Sequence, residues 1–342
     1  MTDMKRRKFI KNAGLITVGT ATLSSFTNEI KSANKIIPQA LRKGDTIALT
    51  APAGAIFNAS HISKIEKRLA ELGFKTVKGK TLYEQDGFLA GSDEFRANEL
   101  HSFFKDKSVK AILAMRGGWG CARILDQLDF ELIKNNPKII MGYSDITSLL
   151  IAITNQTGLV TFHGPVGYSS WKKFSTTQVF NTLVNGLNHT MKNPSSHLSD
   201  LKTLTKGTAL GELVGGNLTV LSAMIGTNHE PNWQNKILFL EETGEEPYRI
   251  DRMLWQLKQA NVFKQINGVV LGAFTKCTPE EPNKSFSLSE ILDQHFKNAS
   301  FPVYKGATIG HIVPKFTLPI GLNAKIDADN FSITLLEPAV YF

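Results

Sequence analysis

Apolar residues recur at Ile62, Ile65, Leu69 and Leu72 within SHISKIEKRLAELGF, the spacing of one helix face. Ser60 is the expected N-cap and Gly73 the expected stop. LRKGDTIALTAPAG before this helix reads as a turn, a strand and a loop, and KTVKGK after it as a short strand. The rhythm continues. GSDEFRANELHSFF predicts a helix capped by Ser92, and VKAILAM (109–115) predicts a strand. In PKIIMGYSDITSLLIAIT, the run Ile139–Met141 predicts a strand, and Ile146, Leu149, Leu150 and Ile153 predict a helix. GLVTFHGP (158–165) is a fifth strand. Strands alternating with helices predict an α/β fold, with an N-terminal three-layer parallel-sheet domain over 43–166. Residues 167–206 are polar and irregular, with one helix expected near Thr176–Leu187, and read as a linker. From 207 to 342 the apolar runs lengthen and the last segment, GATIGHIVPKFTLPIGLNAKIDADNFSITLLEP, alternates around Pro and Gly. This predicts a C-terminal β-rich mixed domain ending in β-hairpins.

Composition narrows the function without choosing it. The chain has 342 residues, 42% hydrophobic and 20% charged, which is globular and long enough for two domains. The net charge is +9, but no basic stripe is interleaved with aromatics, so nucleic acid is not an expected partner. Residues 1–33 carry six basic residues (Lys5, Arg6, Arg7, Lys8, Lys11, Lys31) against Asp3 and Glu29. KRRKFIK followed by the weakly apolar NAGLITVGTATLSSF resembles a bacterial twin-arginine signal. Periplasmic localisation without a stable membrane anchor is therefore expected; a basic tail is the alternative. The two cysteines, Cys121 and Cys277, form neither a disulfide framework nor a metal motif and are expected to be inert thiols. No H-E-x-x-H, clustered His/Cys set or paired Asp spacing is present, so no metal is expected.

Four places invite chemistry. Ser144, in GYSD, falls between a strand's carboxyl end and a helix N-terminus, where a hydroxyl is exposed beside free backbone N–H groups. The layout is that of a nucleophile elbow, although G-x-S-x-G is not met. On this segment alone, capping of the helix by Ser144 or Asp145 is the more ordinary reading. RGGWG (116–120) follows the preceding strand and would place a backbone donor beside Ser144, or be a plain turn. Glu241 ends the apolar run Ile237–Leu240 and needs a partner, for which Arg249 and Arg252 compete with a catalytic base. Among eight histidines, His311 lies between glycine and apolar residues, and His163 in TFHGP is its rival. Ser144, Glu241 and His311 together give nucleophile, acid and base, provided the fold brings them into one cleft between the domains.

RGGWGCARILDQLDF, PKIIMGYSDITSLL, GELVGGNLTVLSAMIGT, ILFLEETGEEPYRIDRMLWQL and GHIVPKFTLPIG resemble, in order, the signature blocks of the LD-carboxypeptidases. The resemblance runs from about Lys43 to the C-terminus. It implies a serine peptidase that releases terminal D-alanine from a muropeptide or peptidoglycan-derived peptide, with no cofactor, as a homodimer. It places the nucleophile on Ser144, the acid on Glu241 and the base on His311. The oxyanion hole falls on backbone N–H groups of Asp145 and Gly118, with Arg116 and Gly117 toward substrate. Glu242 stands where an aspartate often follows the acid. A rival within the family is the microcin-immunity type, which cleaves a peptidyl-nucleotide and would want an aromatic platform such as Trp171 or Trp233. An exported, non-catalytic muropeptide-binding protein would not need the triad. A nucleotide-binding oxidoreductase fits less well because the glycine spacing is wrong.

Overall fold

The computed structural model describes residues 35–342; the twin-arginine-like segment lies outside the described residues. The α/β expectation holds for the first part of the chain. Strands β1 (Thr46–Thr50), β2 (Lys75–Lys78), β3 (Val109–Ala114), β4 (Ile139–Gly142) and β5 (Thr161–His163) pair in parallel in the order β5-β4-β3-β1-β2. Between them run helices α1 (Ser60–Glu71), α2 (Asp93–Lys105), α3 (Phe130–Asn135) and α4 (Ile146–Thr157). Ser92 caps α2 by accepting the amide of Phe95 at 3.2 Å. Ser60 does not cap α1. It is the first helical residue, and its amide instead donates to Asn58 Oδ1 at 3.0 Å in a side-chain turn.

The segment read as a linker is not structureless. It holds helix α5 (Lys173–Val179) and strands β6 (Thr190–Met191) and β7 (Lys202–Thr205). These strands form the two edges of a second, eight-stranded sheet of order β6-β14-β13-β8-β9-β10-β11-β7. Its other members are β8 (Thr208–Asn217), β9 (Lys236–Thr243), β10 (Gly268–Thr275), β11 (Val303–Lys305), β13 (Asn323–Asp327) and β14 (Ser332–Leu335). The central four, β8 to β11, are parallel and the outer pairings antiparallel, so this sheet is mixed. Helices α6 (Leu218–Met224) and α7 (Pro247–Gln259) follow β8 and β9.

One C-terminal element crosses over. Strand β12 (Leu318–Ile320) falls in the stretch expected to form hairpins, but it pairs antiparallel with β5 and extends the first sheet. Leu318, Pro319 and Ile320 are all buried, and an apolar strand placed against an otherwise open edge removes unpaired backbone groups. The hairpin reading holds for β13 and β14. A second tie joins α4 to β8: the amide of Asn217 donates to Thr147 Oγ1 at 3.1 Å in a buried bond. The carboxyl ends of β4 and β9 are thereby held near one another.

Candidate active site

Ser144 leaves β4 with φ 67°, a left-handed conformation uncommon outside glycine. This sharp turn is the elbow expected from the sequence, and it lies directly before α4. Neither Ser144 nor Asp145 caps the helix through its side chain. The Asp145 carboxylate instead accepts the amide of Cys121 at 2.8 Å and so anchors the turn after β3. Burial raises the pKa of this carboxyl, and the Cys121 amide bond opposes the rise. Backbone strain kept at such a corner is consistent with a functional position.

The RGGWG turn reaches Ser144 through Gly117. A Cβ on Gly117 would sit 2.7 Å from Ser144 Cβ and 3.0 Å from the amide nitrogen of Asp145, so no side chain fits there. Gly118 faces Gly54 and the Arg116 guanidinium. Arg116 Nη1 donates to the carbonyl of Ala55 at 2.9 Å, and the guanidinium lies over the Tyr168 ring at 5.9 Å. The turns after β1 and β3 are also joined by Gly54 N–H to Gly117 O at 3.3 Å. Strand order reverses between these two strands, which is where α/β sheets open a ligand crevice.

Arg96, on α2, joins the site without any signal in the sequence. It is fully buried and donates to the carbonyls of Pro52 (2.6 Å), Gly120 (2.9 Å) and Gly91 (3.2 Å). It pairs with Asp93 as well. One guanidinium therefore clamps three loops around the crevice, a role suited to five fixed donors. Nothing in the local pattern of α2 marks it.

Glu241, near the end of β9, is wholly buried, and its Oε2 lies 2.7 Å from His311 Nδ1. The competing partners are elsewhere: Arg249 pairs with Glu245 and Arg252 lies over the Tyr248 ring. Gly310 lets His311 come this close. At its φ of +99° an added Cβ would fall 2.3 Å from Glu241 Oε2. Glu242 points to the other face of β9 and is structural. It accepts from Asn217 Nδ2, from the amide and hydroxyl of Thr219 and from the amide of Thr243.

The structure separates the two rival histidines. His163 is 2% exposed, and neither ring nitrogen has a partner among the described residues. Burial lowers its pKa to about 4, so it is neutral near pH 7. His311 is partly exposed and oriented by a carboxylate. Tyr143 connects it to Ser144: the Tyr143 ring meets His311 edge-on at 4.9 Å. Burial, with the Glu241 charge, pushes the Tyr143 hydroxyl up to about 12. Ser144 and His311 are not hydrogen-bonded to each other in this structure; such bonds often tighten only when substrate binds.

Glu241 and His311, 70 residues apart in sequence, thus meet in a chain of contacts that reaches Ser144. The LD-carboxypeptidase N-terminal domain family matches residues 47–164, and the LD-carboxypeptidase C-terminal domain family matches 210–326. The chain belongs to the LD-carboxypeptidase family. Among its relatives is the "Probable murein peptide carboxypeptidase" of Bacillus subtilis (strain 168), 41% identical over 85% of this chain and 91% of that one. The "Murein tetrapeptide carboxypeptidase" of Pseudomonas aeruginosa is 32% identical over 83% of this chain and 93% of its own. The structure of MccF in complex with glutamyl sulfamoyl guanosine superposes with a TM-score of 0.82 at 26% identity. It covers 89% of this chain and 99% of that one. This LD-carboxypeptidase is accordingly a peptidase with the family's α/β architecture.

Other sequence expectations fare differently. Trp171 and Trp233 are 5% and 3% exposed and bond internally to Val166 and Glu230, so neither is available as an aromatic platform. Trp119, in the RGGWG turn, is 52% exposed, and its place among glycines gives no local sign of that exposure. Cys121 and Cys277 are both buried and free, and burial raises both thiols. Among the described residues no cluster of metal-ligating side chains is present, and no helix is long and apolar enough to cross a membrane.

Proposed function

We propose that this enzyme hydrolyses the L,D-peptide bond before a terminal D-alanine in peptidoglycan tetrapeptide, through an acyl-enzyme on Ser144. The observation that carries the reading is the buried Glu241–His311 pair at 2.7 Å, linked by Tyr143 to a serine held at φ 67°. A fully buried carboxylate on Nδ1 fixes the tautomer that leaves Nε2 free to accept a proton. In this mechanism Nε2 takes the Ser144 proton as Oγ attacks the carbonyl carbon. The amide of Asp145 and an amide of the Gly117–Gly118 turn stabilise the oxyanion. The imidazolium returns the proton to the departing amine of D-alanine. Water, deprotonated by the same nitrogen, then releases the shortened peptide and regenerates Ser144.

Purified enzyme incubated with a tetrapeptide ending in D-alanine is expected to release free D-alanine. Its absence over hours at micromolar enzyme sinks the reading. A second substrate is supported by the MccF neighbour with its bound glutamyl sulfamoyl guanosine and by the exposed Trp119 beside the crevice. A peptidyl-adenylate assayed in parallel distinguishes the two, since the same serine chemistry would cleave it. The twin-arginine-like residues 1–33 suit export to the compartment that holds peptidoglycan. Deleting Arg6 and Arg7 is then expected to retain the protein in the cytoplasm by cell fractionation, and unchanged export refutes that part alone.

A further inference from the structure

Lys315 is 5% exposed, yet no acceptor takes a hydrogen bond from its Nζ and no carboxylate pairs with it among the described residues. Its backbone is fixed: the amide donates to Ser175 Oγ at 3.1 Å, and that hydroxyl donates to Val313 O at 3.0 Å. The ammonium lies 4.1 Å from the centre of the Tyr143 ring, the same ring that His311 meets edge-on. A largely buried cation with no anion in hydrogen-bond contact is costly, and neither a cation–π contact nor the more distant Glu241 charge recovers all of that cost. Such a group is kept where an anion arrives.

The chemistry of the proposed reaction says which anion and where. His311 must protonate the leaving nitrogen, so that nitrogen lies against the imidazole. In a single released amino acid the carboxyl carbon is two bonds from the nitrogen. The carboxylate therefore falls on the His311 side of the site, where the ring of Tyr143 carries Lys315. Arg116, the cation that the sequence resemblance turns toward substrate, is instead engaged by Ala55 O and stacked over Tyr168. We infer that Lys315 binds the substrate's terminal carboxylate and so restricts the enzyme to carboxyl-terminal residues. The inference rests on the carboxypeptidase reading above. The titratable and charged groups around Lys315 are Glu241, His163 and Tyr143, with His311 against the same Tyr143 ring; burial lowers the lysine pKa to about 8, with Glu241 opposing the shift.

The test compares kcat/KM on the tetrapeptide with a free terminus and on the same peptide ending in a carboxamide. Wild type is expected to prefer the free acid at least about tenfold at pH 7. Lys315→Met should lose that preference, mainly through KM, while Lys315→Arg keeps it. Because the lysine is charged below about pH 8 and neutral above it, the wild-type preference should fall between pH 7 and 9. Lys315→Arg, whose guanidinium does not titrate there, should hold it. The assignment fails if Lys315→Met lowers both substrates equally, or if the preference is lost in Arg116→Gln instead. Should Lys315→Met not fold, a wild-type acid/amide ratio that is flat from pH 7 to 9 overturns it. In each of those cases D-alanine release stands; a wild type that cleaves neither peptide overturns the carboxypeptidase reading itself.

Discussion

Replacing Ser144 with alanine is expected to reduce D-alanine release by about 10⁴–10⁶-fold, the scale seen when a nucleophile is removed from a serine hydrolase. The loss should appear in kcat, since the hydroxyl contributes little to ground-state binding. The substitution is clean because Ser144 Oγ makes no hydrogen bond among the described residues, and the backbone turn at φ 67° is as strained for alanine as for serine. Thermal unfolding of the variant should therefore stay within about 1 kcal/mol of wild type. Retained structure with lost turnover is the expected pair of results. A variant within tenfold of wild type would remove Ser144 from the mechanism and favour the elbow as a purely structural corner.

Glu241→Gln is expected to lower kcat by about 10³–10⁴-fold without unfolding the protein. Glu241 is wholly buried and spends one oxygen on His311, while Oε1 has no partner. An amide of the same shape carries no charge to desolvate, so stability should not fall. What is lost is the anion that fixes the imidazole tautomer and stabilises the imidazolium formed as Ser144 is deprotonated. A kcat within tenfold of wild type would show that the pair is architectural. Measuring kcat together with the melting temperature separates these outcomes, because an architectural role predicts loss of stability first.

Much of the first domain is legible from residue order. Its strands and helices alternate at short range, and Gly73 and Ser92 do locally what their chemistry implies. The second domain is legible in kind but not in detail. A strand such as Leu318–Ile320 looks the same whether it pairs with its sequence neighbour or with β5, far earlier in the chain and in the other sheet. The supposed linker fails for a related reason: edge strands are short and polar, like loops.

The site divides in the same way. Residue type and local context are enough to nominate Ser144, Glu241 and His311, because an exposed hydroxyl at a strand end, a carboxylate closing an apolar run and a histidine between a glycine and apolar residues are each locally anomalous. Their family blocks strengthen the choice. Burial and distance are decided only by the folded chain. It ties Glu241 to His311 rather than to Arg249 or Arg252, leaves His163 neutral and unpartnered among the described residues, and buries Trp171 and Trp233. It also gives meaning to Arg96 and Lys315, two of 39 basic residues with no local mark. A side chain's tendency to react is written in its own atoms, so the sequence by itself determines the candidates. Its partner, exposure and charge environment come from chain segments far away in sequence, so only the tertiary structure decides which candidates act together.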